Sequence, residues 1–287
     1  MINNIVLRKF SILFWLIFCL TIYPSFSHAA AWVQEKGKSF FSLQLYYYQT
    51  EDAFDSDGNK EKRGGVFRKT EINPYLEYGL TDNDTLVANL FYDWLYDGEP
   101  EPSENNHGLA DIELGWRRLL FKTDPHVITF QALSIIPTGY DLQDSPRLGY
   151  DRFGLEGSLS YGRYFKWFEK YGFLDTSLGL RTYFGYPSEQ IRSSVYIGYD
   201  LLASLQIIGS GELHYGLNNG SEKQIAPNII AQPNYRLLKA TLMLRYRLTP
   251  KYSIVGAAYK HAWGQDTGAG GGVYGGLWIN FGEWWKR

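Results

Sequence analysis

The stretch "GLADIELGWRRLLF", residues 108–121, sets Asp111, Glu113, Arg117 and Arg118 among Leu, Ile, Trp and Phe. On a helix the four charges would scatter around the circumference. On a strand, whose side chains alternate between two faces, Asp111, Glu113 and Arg117 fall on one face, with Ala110, Ile112, Leu114 and Trp116 on the other. Such a strand needs water or partners on its charged side and an apolar medium on its other side. Arg118 has the wrong parity, and near the strand end its long side chain is expected to snorkel to lipid headgroups.

The same period of two recurs along the chain, in segments of about ten residues. In 39–49, Phe41, Leu43, Leu45 and Tyr47 oppose Ser42, Gln44, Tyr46 and Tyr48. In 70–78, Ile72, Leu76 and Tyr78 oppose Glu71, Asn73 and Glu77, while Pro74, which has no N–H, predicts a bulge or a local loss of pairing. Leu86, Ala88, Leu90, Tyr92 and Trp94 oppose Asn89 and Asp93. With the opening stretch and strands expected near 126–136, 150–162, 172–184, 190–199, 205–215, 235–248, 252–262 and 271–281, the total is twelve.

An even number returns both termini to one side, and the connections differ by side. Those on the terminal side are short: "LTDND" at 81–85, "KTDPH" at 122–126 and "LTPK" at 248–251. Most of those opposite are long and polar, at 50–64, 97–108, 139–149 and 218–234. Short periplasmic turns and long extracellular loops are the pattern of a transmembrane antiparallel up-and-down β-barrel, and a soluble sandwich gives no reason for that asymmetry. Strands of about ten residues, tilted near 40°, rise about 25 Å, which matches the apolar band of the outer membrane. Twelve strands give a Cα diameter of roughly 24 Å, narrow enough for inward side chains nearly to fill the lumen.

Composition agrees. Aromatic residues make up 17% of the 287 residues, 23 of them Tyr and 9 Trp, as rings at two membrane interfaces require. Arg8 and Lys9 precede an apolar run from Phe10 to Tyr23, and the small residues of "SFSHAAA" follow, so residues 1–29 read as a cleavable signal peptide, cut most simply after Ala29, and 30–287 as the barrel. Cys19, the single cysteine, falls in that leader, so the mature chain is expected to have no disulfide and no thiol metal site. Removing the leader leaves 26 Lys and Arg against 30 Asp and Glu, a formal charge of −4 that gives no sign of nucleic-acid binding. The expected location is the outer membrane. The expected partners are its lipid and lipopolysaccharide, its insertion machinery and an unnamed small solute.

At the C-terminal end, "GVYGGLWINF" places Val273, Gly275, Leu277, Ile279 and Phe281 on one face, and the tail "GEWWKR" follows. Together with "YYQTEDAFDSDG" at 47–58, "EYGLTDND" at 77–84, "GLADIELGWRRLL" at 108–120, "IIPTGY" at 135–140 and "AWGQDTGAGGG" at 262–272, this resembles the outer-membrane barrels of the "MetA-pathway of phenol degradation" family, regarded as transporters. The resemblance implies a barrel that passes small solutes, aromatic or apolar ones included. It supplies no catalytic residue.

Inward parity defines the candidate site. The residues expected to line a passage or bind solute are Asp93, Asp111, Glu113, Arg117, Arg152, Glu156, Arg181, Arg192, Glu212, His214 and Arg245. Glu71, Glu77, Asp175, Lys239 and Arg247 share their face. Acids and bases interleave, so one reading has them pairing across strands as a polar core, and the other leaves an unpaired subset to set selectivity. Passive channel function is thus the leading expectation. An accessory barrel for envelope assembly or polymer export is the alternative, and a lipid hydrolase is third. His214 with Asn218, Asn219 and Ser221 invites the last, but the inward parity of His214 points it away from lipid, and no catalytic spacing supports it. "DSDGN" at 55–59 lacks the distal Glu of a calcium loop and reads as a solvated tip, while "WGQDTGAGGG" either folds into the mouth or forms a flexible tip. No cofactor or metal is expected.

Overall fold

Period-two alternation becomes twelve antiparallel strands in the computed structural model, which describes residues 31–98, 102–226, 229–231 and 233–282. The expected leader and the tail after Gly282 lie outside the described residues. The strands are β1 (Ser39–Phe54), β2 (Lys60–Gly79), β3 (Asp84–Asn89 continued by Tyr92–Asp97), β4 (Glu104–Leu109 continued by Ile112–Thr123), β5 (His126–Ile136) and β6 (Gly154–Trp167). They continue as β7 (Lys170–Tyr183), β8 (Gln190–Asp200), β9 (Leu205–Gly216), β10 (Arg236–Arg247), β11 (Tyr252–Gln265) and β12 (Gly271–Phe281). Each pairs with its neighbours in sequence, and β1 pairs with both β2 and β12, from Ser39↔Phe281 to Gln49↔Gly271, which closes the sheet. Closure leaves no edge for solvent or another chain to satisfy.

The two faces separate as alternation requires. Leu43, Leu45, Leu114, Leu159, Leu178 and Leu242 stand exposed on the outside, while Ser42, Asp93, Arg117, Ser160 and Arg245 are buried within. Pro74 lies where β3 is divided: Tyr75 pairs with Asn89 and Ile72 with Tyr92, and between them the N–H of Leu90 reaches the Pro74 carbonyl at 3.1 Å. The residue that cannot donate thus coincides with the expected loss of pairing.

Several boundaries differ from the sequence reading. Ala110, expected to face lipid, is buried at the interruption of β4. Leu109 faces outward on one side of the interruption and Leu114 on the other, an odd number of residues apart, so the break shifts parity by one. The expected loop at 50–64 is mostly strand, because β1 and β2 run past the barrel wall as a hairpin in which Asp52 pairs with Lys60 and Lys62. At its tip Asp55 accepts the N–H groups of Asp57 and Asn59 through one carboxylate oxygen. This turn is organised around its own carboxylate. β6 begins at Gly154 rather than 150, because Asp151 turns the chain with φ of 50°. Between β6 and β7 the turn is only Phe168-Glu169, both at positive φ as a primed two-residue hairpin turn requires.

Residues 31–38 form no strand. A turn in which Lys38 N donates to Glu35 O reverses the chain ahead of β1, and Gly37 N to Gly79 O pins it to the terminal rim. From there the segment folds back inside the barrel, where Ala31 is fully buried. It packs on an apolar floor of Phe40, Phe173, Ile208, Met243, Val255 and Trp278, with the Trp32 ring 4.8 Å from Tyr164 and 6.1 Å from Phe173. The interior thus has an apolar floor in its terminal half, set among buried polar groups such as Arg117 and Glu77.

Gly198 of β8 faces Phe173 across this floor, and a Cβ there would sit far inside contact with the ring. Gly198→Ala is expected to destabilise the barrel by about 1–3 kcal/mol through overpacking. The check is the temperature at which the detergent-resistant folded band is lost on gels, which should fall by several degrees. An unchanged temperature would contradict the close fit.

Candidate functional site in the barrel lumen

Above the apolar floor lies a cavity of about 360 Å³. Phe40, Phe173, Ile208, Met243 and Trp278 form its lower surface, and Tyr46, Tyr75, Tyr196 and Tyr274 with Ser42, Gln44 and Asn73 its walls. These side chains come from strands all around the ring, at the positions of inward parity. Tyr46 and Tyr274 rings lie 4.4 Å apart, and Tyr46 donates to Gln44 at 2.5 Å. Apolar rings with polar edges give such a cavity both contact area and orienting groups.

Most of the expected charged residues are paired. Arg117 is buried and donates to Glu77 at 2.8 Å, to the Trp32 carbonyl at 2.8 Å and to Gln131 at 3.0 Å. Arg181 bridges Glu113 and Glu156, each at 2.6 Å. Glu212 pairs with Lys239 at 2.9 Å, and Arg247 with Asp200 at 2.7 Å. Lys69 lies between Glu71 at 2.7 Å and Asp93 at 2.8 Å. Removing one partner from such a buried set leaves an uncompensated charge, so these pairs hold one another in place.

A smaller subset makes no strong ion pair among the described residues. Asp111 accepts from the Tyr140 hydroxyl at 2.5 Å, and burial, then that bond, push the Tyr140 phenol up, so it remains a donor. Arg192 meets His214 at 2.7 Å, and His214 also lies 3.2 Å from the Tyr235 hydroxyl. Arg245 donates to Ser253 at 3.1 Å and sits 5.2 Å over the Trp278 ring. Arg152 leaves the candidate strand set: it lies in the loop before β6, with its guanidinium 4.4 Å from the Tyr186 ring at the loop-end mouth. Among the described residues its only acidic neighbour in ion-pair range is Asp151, at 3.9 Å.

Asp175 accepts the Ala31 N–H at 2.7 Å. Arg118 faces outward as expected, bonded to Asp84 at 3.1 Å and 6.0 Å from the Trp116 ring. "WGQDTGAGGG" is ordered against the extended end of β1: Thr267 pairs with Phe54 and Gly268 with Ala53, His261 contacts the Gly268 carbonyl, and Gly270 N donates to Tyr48.

The candidate set drawn from the sequence left out Lys69, Gln131 and the cavity's Tyr75, Tyr196 and Tyr274, and also Asn89 and Tyr46, which alternation had put on the inward face. Lys69 shares the parity of Glu71 and was open to the same test. The tyrosines alternate correctly as well, but a Tyr is as much at home at the lipid interface, so only closure of the ring tells which ones converge.

No protein-family model matches the chain, and no curated protein matches it in sequence. Among solved structures, the COG4313 outer membrane channel from Pseudomonas putida F1 aligns with a TM-score of 0.71 at 13% identity, covering 89% of this chain and all of that one. The KdgM porin aligns at 0.46 and 10% identity over 84% of this chain and 99% of its own, and the NanC porin at 0.49 and 8% over 83% and 98%. Identity this low shows the fold alone, that of an outer-membrane β-barrel. The family resemblance read from the motifs is supported at that level, without a family-model match.

Arg181→Ala would leave Glu113 and Glu156 buried without their cation. It is expected to cost about 3–5 kcal/mol, measured by urea unfolding in detergent or bilayers, with Arg181→Lys recovering part of the loss. Equal stability of Arg181→Ala and the parent would show that the two acids are not held by this residue.

Proposed function

We propose that this chain is an outer-membrane channel for passive passage of small solutes, aromatic and apolar ones included, through a restricted lumen. The observation that carries the reading is the cavity of about 360 Å³, lined by tyrosines above an apolar floor and bordered by paired charges. Its volume lies in the range of sites for small organic molecules. The seated segment 31–38 narrows the periplasmic half, so a wide, water-filled pore does not fit the same geometry. The outward leucines face membrane lipid and lipopolysaccharide, and insertion falls to the outer-membrane assembly machinery.

In this reading the ion pairs brace the wall. Contacts with a passing solute fall to the tyrosine rings and to Asp111, Arg192 and His214, whose inward groups lack a strong ion pair. Stacking on rings and brief polar contacts bind a small molecule weakly enough for it to leave, as conduction requires.

The experiment is planar-bilayer recording and proteoliposome swelling with the purified protein. Expected are openings well below those of a wide general porin, and entry of phenylalanine without entry of raffinose. Porin-sized conductance or free passage of raffinose would overturn the restricted lumen. A barrel impermeable to both solutes would instead support the accessory role in envelope assembly or polymer export.

A further inference from the structure

Asp111, Arg192 and His214 border the cavity on its loop side. Each lies two residues toward the loop end from a side chain that lines the cavity, Glu113, Ser194 and Glu212 in turn, so each stands one inward step, about 7 Å along its strand, above the cavity wall. Tyrosine rings share this throat. Tyr150 lies 6.0 Å from Tyr183, and Tyr235 lies 6.1 Å from His214. The Tyr150 phenol is within electrostatic reach of Arg192 and of Asp111, so the two charges face the space around one ring.

Those charges are opposite in sign, and neither makes an ion pair among the described residues. Arg192 donates Nε to Gln190 Oε1 at 3.2 Å and Nη1 to His214 Nε2 at 2.7 Å. A guanidinium has donors only, so His214 Nε2 is the acceptor, the imidazole is neutral, and its Nδ1–H is left for the Tyr235 hydroxyl at 3.2 Å. The direct partners of Arg192 are therefore uncharged, and its Nη2 makes no hydrogen bond among the described residues. Asp111 accepts from Tyr140 through Oδ1, and its Oδ2 is likewise unused among the described residues. The charges within wider reach are committed elsewhere: Arg181, near Asp111, to Glu113 and Glu156, and Glu113, near Arg192, to Arg181 and Asn89. Held apart on β4 and β8, Asp111 and Arg192 leave one acceptor and one donor toward the same opening. A solute of single charge gains at one of them what it loses at the other, whereas a solute carrying both signs gains at both.

We propose that this throat selects small aromatic zwitterions of the α-amino-acid class, with the carboxylate on Arg192 Nη2, the ammonium on Asp111 Oδ2, and the ring against the throat tyrosines before it enters the cavity. The proposal rests on the channel reading and narrows its solute. Tyr46, Tyr75, Tyr196 and Tyr274 then receive the ring below, where the cavity wall is aromatic. Asp111 and Arg192 are only half-buried, so water still reaches both contacts, and each is weak enough for the solute to move on.

The test is tracer entry of labelled phenylalanine, 3-phenylpropionate and phenethylamine into proteoliposomes at pH 7, after subtraction of entry into protein-free vesicles. The three share a ring and a two-carbon chain and differ in the charges they carry. Phenylalanine is expected to enter at least about fivefold faster than either of the others, the effect of one charge-assisted contact in a partly wet site. Asp111→Asn, which keeps an acceptor for Tyr140, should bring phenylalanine within about twofold of 3-phenylpropionate, and Arg192→Gln should bring it within about twofold of phenethylamine. Should a variant fail to assemble, the wild-type ratios decide alone. Equal entry of the three solutes, faster entry of a singly charged one, or wild-type ratios in either assembled variant would overturn the proposal and leave the channel reading standing, because the solutes still pass. Entry of none of the three would strike the channel reading and the proposal together.

Discussion

Inside a hydrocarbon layer no water is available to a backbone N–H or C=O, so each must find its partner within the protein. That constraint makes the pairing of β1 with β12 the contact on which the rest of the structure depends. Once the ring is closed, parity alone decides which side chains meet lipid and which meet one another. One departure from regular pairing falls where the sequence forces it, and another where the sequence gives no sign. Pro74 lies opposite the division of β3, and the interruption at Ala110 shifts the parity of β4.

Closure then creates a second problem, a narrow interior that must be filled without stranding charge. The chain solves it in two layers. Toward the loop end, ion pairs such as Glu113–Arg181–Glu156 neutralise inward charges drawn from different strands. Toward the terminal end, Phe40, Phe173, Met243 and Trp278 add packed apolar surface beside pairs such as Arg117–Glu77, and residues 31–38 complete the filling. The cavity remains between the layers, where neither the pairs nor the floor reach the centre.

Much of this was legible from alternation. The strand containing Glu113 and Arg117 could be oriented from its own residues, because three charges and four apolar side chains admit only one assignment of faces beside lipid. The same reasoning placed Asp93, Arg181, Glu212 and His214 inside. It misplaced Ala110 and Arg152, because a parity shift at a strand break and a turn at Asp151 leave no periodic trace. It also left the partners of the inward charges open. Glu113 and Arg181 are 68 residues apart, and local pattern carries no information about register across several strands.

The sequence by itself determined the class of fold, the number of strands, the side to which the termini return and the face of most side chains, because a two-residue period and the lengths of connections are local properties. Tertiary structure alone decided which inward charges are neutralised, where the cavity remains, and that the segment ahead of β1 turns back into the lumen. Those outcomes depend on ring closure and strand register, which bring distant residues such as Ala31 and Asp175 together, 144 positions apart.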